Sequence, residues 1–185
     1  GLAKSRGKQS WFDRYEPRTL SAGSYNNRVD LHVDRIAANA KTDRNARVVF
    51  MPGTNAYTLL YGEFLTALAD AGFEVFAFEP RGHGRSGGRR GSYTIDELVD
   101  DYCSVVQYVR GLSDAPVLLT GSSQGGITAF YAALQLQKEG PQQGKAIQIR
   151  VETGHWESLM QTASIIRDHM DNNVDGLVNI DDTRP

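Results

Sequence analysis

Along most of this chain, short apolar runs alternate with stretches of helical period. Residues 19–25 and 28–36 read as two strands joined at Asn26-Asn27, with Leu31, Val33 and Ile36 as the apolar positions of the second. Val48-Val49-Phe50-Met51 predicts a short buried strand that stops at Pro52-Gly53. Tyr57, Leu60, Tyr61, Phe64, Leu65 and Leu68 keep the i, i+3, i+4, i+7 spacing of one buried helix face. They predict a helix over 57–71 stopped by Gly72. Residues 73–78 form the next strand. Thr94-Ile95-Asp96-Glu97 has the form of a capping box. It opens a helix with Ile95, Leu98, Val99, Tyr102, Val105, Val106 and Val109 on its buried side and Gly111 at its end. A strand over 116–120, a helix over 124–138, a strand over 146–151 and an amphipathic helix (Leu159, Ala163, Ile166, Met170) follow.

Strand–helix alternation with short connections predicts an α/β fold: a mostly parallel, doubly wound sheet with helices on both faces. Ligands of such sheets bind at the carboxyl ends of the strands. The pattern divides the chain into a polar lead (1–18), one domain (19–170) and a polar tail (171–185), the tail holding one short apolar run over 176–180.

Composition narrows the function classes. The 185 residues are 40% hydrophobic and 23% charged, with a net charge of −2. That is the profile of a globular domain with no electrostatic reason to bind nucleic acid. Arg81, Arg85, Arg89 and Arg90 cluster, but in a glycine-rich loop that reads as solvated rather than as an anion site. The single cysteine, Cys103, cannot form an internal disulfide. No apolar run approaches the ~20 residues of a membrane span. The basic N-terminus lacks the apolar core of a secretory signal, so the expected location is the cytoplasm.

The chemistry centres on Thr120-Gly121-Ser122-Ser123-Gln124-Gly125-Gly126. A strand runs into Gly-x-Ser-x-Gly and a helix starts at once behind it, which is the sequence form of a nucleophile elbow. Gly121 and Gly125 flank Ser123 symmetrically, so Ser123 rather than Ser122 is the candidate nucleophile. A serine hydroxyl needs a base. Of the four histidines, His32 lies in a strand, His83 in a turn suited to local hydrogen bonding, and His169 in the last turn of a helix. His155 follows the 146–151 strand in a loop on the same edge as Ser123, and it is the expected base. The oxyanion donors are the backbone N–H of Gln124, which opens a helix, and that of Thr54 behind Gly53. Glu152 lies too near His155 to orient it. Asp181, after the 176–180 run, is the candidate acid, set against a surface tail.

Pro52-Gly53-Thr54, the turn Arg81-Gly82-His83-Gly84-Arg85-Ser86-Gly87-Gly88, the Ser123 elbow and Gly154-His155 resemble, in order, landmarks of the α/β-hydrolase superfamily. The nearest branch is that of monoacylglycerol lipase-like and serine-aminopeptidase-like hydrolases. The resemblance covers about 28–138 and more loosely 146–170. It implies Ser123 as nucleophile, His155 as base, Thr54 and Gln124 as oxyanion donors, neither metal nor cofactor, and an acyl ester as substrate. It departs from that family between Ser123 and His155. That short span holds one helix, one loop and one strand, and omits the lid and the usual acid. The 146–151 strand is expected to pair directly beside 116–120 by a right-handed crossover.

Gly82 to Gly87 also fits Gly-x-Gly-x-x-Gly, but no helix opens there and Gln107 stands where a dinucleotide site needs an acid. A hydrolase fold lacking its lid and acid could act as a binding module, or transfer the acyl group to another acceptor. Its shortened sheet would expose an edge that favours self-association. The expected activity is cleavage of acylglycerol-like or small carboxylic esters.

Overall fold

The computed structural model describes residues 11–138 and 148–149. Six strands form one sheet in the order β1-β2-β4-β3-β5-β6, where β1 is Tyr15–Ala22, β2 Val29–Ile36, β3 Ala46–Met51, β4 Phe73–Phe78, β5 Val117–Gly121 and β6 Gln148–Ile149. The strands β4, β3, β5 and β6 are parallel, and the β1–β2 hairpin is added antiparallel at the β4 edge. The α/β architecture and its parallel core are as the sequence predicted. β6 pairs with β5 over Leu118–Gln148 and Leu119–Ile149, the direct neighbourhood expected for the 146–151 strand.

Among the described residues, three α-helices cover the two faces: α1 (Gly62–Asp70), α2 (Ile95–Leu112) and α3 (Gln124–Lys138). Successive side chains of a strand point to opposite faces, so a strand buried on both sides must be apolar throughout. β3 obeys this. Val48 and Phe50 pack with Phe64, Leu65 and Leu68 of α1. Val49 and Met51 pack with Leu98, Tyr102, Val106 of α2 and Ala129, Ala132 of α3. The path from β3 runs through α1 to β4 on one side, while the path from β5 runs through α3 to β6 on the other. Their carboxyl ends therefore diverge at a topological switch point, the crevice where such sheets take ligands. Tyr102 fixes this crevice from below. Its buried hydroxyl donates to the Thr120 carbonyl (2.7 Å) and accepts from the Thr120 N–H (3.0 Å), tying α2 to the last turn of β5.

Several boundaries differ from the sequence expectation, each for a local reason. β1 begins at Tyr15 and ends at Ala22, because Tyr15 to Arg18 pair with Val33 to Ile36. The predicted 57–71 helix splits. Tyr57 is extended, Thr58–Tyr61 is a 3₁₀ turn, and α1 starts at Gly62. The tighter turn carries Tyr57 and Leu60 outward, where both are exposed rather than buried. Gly62 lies under the Trp11 ring, which a Cβ would meet at 3.1 Å. Gly72 does stop α1, at φ +100°. The capping box is present: Thr94 Oγ1 accepts from Glu97 N–H and Glu97 Oε2 accepts from Thr94 N–H. Ile95, however, is exposed, and Gly111 does not end α2, which runs one residue further to Leu112 before Ser113 turns extended.

Candidate active site

The elbow is built by backbone packing. Ser122 N–H donates to the Met51 carbonyl (3.1 Å), stitching the end of β5 to the end of β3. Gly125 N–H returns to the Ser122 carbonyl (2.9 Å), and Gly126 N–H to that of Ser123 (3.0 Å), so α3 begins with no connecting loop. Such a turn leaves no room for side chains at its flanks. A Cβ on Gly121 would overlap the Gly125 backbone, and one on Gly125 would overlap the Met51 and Pro52 carbonyls. Ser123 takes φ +52°, in the left-handed region, and its side chain is exposed. Three non-glycine residues share that region among the described residues, and the other two, Asn45 and Asn55, are of a type that tolerates it. Serine is the one held against its preference, as nucleophiles on such turns are.

The loop behind β3 closes on the same point. A Cβ on Gly53 would stand 3.3 Å from Ser123 Cβ, so only glycine lets this backbone pass there. Gly53 N–H donates to the Tyr61 hydroxyl (3.3 Å). Next to it, Thr54 Oγ1 donates to Gln124 Oε1 (3.1 Å). Ser123, Thr54 and Gln124 are thus brought together at the crevice. Among the described residues, neither the Thr54 nor the Gln124 backbone N–H is taken by another backbone carbonyl. His155, Glu152, His169 and Asp181 lie outside the described residues.

The Arg81–Gly88 turn, at the end of β4, is a second wall. The sequence suggested a solvated arginine loop; two of its four arginines are instead structural. Arg81 is 5% exposed and grips Asp101 of α2 through two bonds of 2.7 Å (Nε to Oδ2, Nη2 to Oδ1), with Glu97 at 3.1 Å. Burial pushes the Asp101 carboxyl above its ordinary range, and the guanidinium pulls it part of the way back. Arg85 Nη2 reaches Asp34 Oδ2 (2.7 Å), Glu79 Oε1 (2.9 Å) and Thr58 Oγ1 (3.1 Å). Burial opposes its charge, but the two carboxylates outweigh that and hold its pKa raised. Asp34 and Glu79 are each 1% exposed, and His32 Nε2 lies 2.8 Å from the other Asp34 oxygen. The turn closes on itself through Gly82 N–H to the Gly87 carbonyl (2.8 Å), and no helix begins before Ile95, so it is not a dinucleotide loop.

His83 makes the local hydrogen bond expected of it: Nδ1 lies 3.0 Å from the Arg81 carbonyl. Sequence reasoning missed its surroundings. Its ring stands against that of Tyr93 (centroids 5.3 Å), and both line a cavity of about 550 Å³. Tyr93 in turn lies 3.5 Å from Gln124 Oε1. Only the aromatic at 93 between the glycine turn and the capping box hinted at this wall.

No helix among the described residues is long and apolar enough to cross a membrane. No curated protein matches the sequence. Among solved structures, an epoxide hydrolase from Vigna radiata is 23% identical with a TM-score of 0.56, the match covering 74% of this chain and 40% of that one. Epoxide hydrolase A from Mycobacterium thermoresistibile is 22% identical with a TM-score of 0.53, covering 72% of this chain and 38% of its own. N-formylmaleamic acid deformylase from Pseudomonas putida is 20% identical with a TM-score of 0.53, covering 66% and 43%. At these identities the likeness is one of fold, and the chain spans less than half of each of these structures. The family described as serine aminopeptidase, S33, matches residues 42–148, from the approach to β3 through the elbow to β6. With that span and this fold, the chain belongs to the serine aminopeptidase-like family of the α/β hydrolases.

Proposed function

We propose that this protein is a serine hydrolase that cleaves carboxylic esters through an acyl-enzyme on Ser123. The observation that carries the reading is an exposed serine held at φ +52° between glycines at the end of β5. Ser123 Oγ attacks the acyl carbon while its proton passes to His155, which Asp181 orients. The carbonyl oxygen becomes an oxyanion and is held by the N–H groups of Gln124 and Thr54. Collapse of the intermediate expels the alcohol, which takes the proton from His155. Water then repeats the sequence and releases the acid. Acylglycerols and small esters are the substrate class, and family membership supports the hydrolytic chemistry. An alcohol or amine in place of water would give acyl transfer from the same intermediate.

The test is labelling by a fluorophosphonate probe together with turnover of p-nitrophenyl esters. Ser123→Ala abolishes labelling and lowers turnover by roughly 10⁴–10⁶-fold. His155→Ala lowers turnover by a comparable factor. Absence of labelling in the unaltered chain overturns the enzyme reading in favour of a binding module, and unchanged rates in His155→Ala remove that residue from the mechanism.

A further inference from the structure

We propose that His83 accepts a hydrogen bond from a hydroxyl group of the substrate, so that the favoured esters carry a free hydroxyl; this rests on the ester hydrolase reading above. The argument begins with the tautomer. A carbonyl oxygen only accepts, so the 3.0 Å contact between His83 Nδ1 and the Arg81 carbonyl requires the proton on Nδ1. In the neutral ring Nε2 then carries a lone pair and no proton. Among the described residues no hydrogen bond reaches it, and it is not one of their buried unpartnered atoms, so Nε2 meets open space although the residue as a whole is only 7% exposed. The ring is held in place by the Tyr93 ring, tilted against it at 48°, and by the turn on its other nitrogen.

What surrounds it selects the partner. The ring lines the cavity of about 550 Å³ together with Asn55, Tyr57, Arg90 and Tyr93. That cavity adjoins the elbow, because Thr54, which precedes Asn55, and Tyr93 both reach the side chain of Gln124, the residue behind Ser123. An alkyl group placed against Nε2 would leave a buried acceptor unpaired. A carboxylate has no proton to give it. An ammonium would face the Arg90 guanidinium on the same wall, while Glu79 at the floor is already engaged by Arg85. A neutral hydroxyl can donate to Nε2 without bringing a second positive charge to a wall that already carries Arg90. The hydroxyl can belong to the alcohol portion or to the acyl chain.

Two matched ester pairs distinguish these sources: ethylene glycol monobutyrate against propyl butyrate, and methyl γ-hydroxybutyrate against methyl pentanoate. The full chain prefers the hydroxylated member of one pair by roughly tenfold in kcat/KM, expressed in KM. Two variants separate recognition from a structural role. In His83→Asn the side-chain amide can keep the bond to the Arg81 carbonyl but has nothing at the Nε2 position, and the preference disappears. In His83→Gln the amide oxygen can stand near the Nε2 position, and the preference survives even if the turn is loosened. Dissociation constants for the same pairs, from NMR titration of Ser123→Ala protein, show the same ratio without any chemistry. A ratio seen in binding without turnover in the unaltered chain overturns ester hydrolysis and supports the subsite. No preference in either pair, or one retained in His83→Asn, overturns the subsite.

Discussion

Two strand ends face the same crevice and are built in opposite ways. At the end of β4, polar side chains do the holding. Arg85 joins Asp34, Glu79 and Thr58, Arg81 joins Asp101, and Ser86 Oγ accepts from His32 N–H (2.8 Å). At the end of β5, the backbone does the holding. Glycines allow Met51, Ser122 and Gly125 to approach closely, and no hydrogen bond of the Ser123 hydroxyl is found among the described residues. The contrast has a physical logic. A group committed to structural hydrogen bonds is unavailable to a substrate, so a reactive side chain is best placed where backbone packing alone fixes the turn. The β4 end supplies a rigid wall, and the β5 end presents a hydroxyl with no hydrogen bond among the described residues.

If the β5 end depends on close backbone approach, the largest stability loss comes from Gly125→Ala. Its new Cβ would meet the carbonyls of Met51, the last residue of the core strand β3, and of Pro52 just behind it, backbone that has little room to withdraw. A destabilisation of ~3 kcal/mol or more is expected in urea unfolding. Gly111→Ala is the control: nothing lies within 4 Å of that Cβ, and in the last turn of α2 alanine is favoured by at most ~0.5 kcal/mol. Equal effects at the two glycines would break the comparison.

At the β4 end the corresponding perturbation is electrostatic. Arg81→Met leaves Asp101 buried without its guanidinium and costs ~3 kcal/mol near neutral pH. The pH dependence gives the sharper reading. The folded pKa of Asp101 is raised above its ordinary 3.8. Above that value the folded state therefore binds more protons than the unfolded one, and this carboxyl's contribution to stability falls as pH rises through the raised pKa. Removing Arg81 raises it further. The stability gap between the variant and the parent chain should be small near pH ~3.5 and widen toward pH ~7. Urea unfolding across that range measures it, and Asp101→Asn added to Arg81→Met should flatten the profile. A constant gap would mean that Arg81 acts by packing and not by charge.

These two ends also differ in how far the sequence disclosed them. The elbow was legible because glycine spacing is a local code: Gly121 and Gly125 mark the closeness of the backbone without knowledge of what approaches it. The α/β order and, from Leu98 onward, the buried face of α2 were legible for the same reason, since period and capping are written within a few residues. The β4 end was legible only in part: Arg89 and Arg90 are exposed as in a solvated loop, but the ties of Arg81 and Arg85 were not foreseen. Asp34, Thr58 and Glu79 come from three separate segments, and nothing near Arg85 in the sequence announces them. Tyr57 and Leu60 failed at a finer scale. Helical spacing cannot tell a 3₁₀ turn from an α-turn, and here Thr58–Tyr61 takes the tighter pitch before α1 starts at Gly62. The cavity beside His83 escaped because it is formed by the loops after β3 and β4, which meet only in the fold.

The smallest expected effect separates strain from reactivity at one residue. Ser123 holds φ +52°, which costs an L-residue about 1 kcal/mol relative to glycine. Ser123→Gly relieves that strain, while the freer unfolded glycine returns part of the gain. The net expectation is a stabilisation of about 0.5 kcal/mol, with fluorophosphonate labelling lost entirely. Ser123→Ala keeps the strain and loses the hydroxyl, so it should lose labelling with no comparable gain in stability. Differential scanning calorimetry on the two variants resolves the difference. If both lie at the parent Tm, the left-handed turn is unstrained and the elbow holds its serine at no cost; if only the glycine variant rises, the fold gives up stability at position 123 to present that hydroxyl.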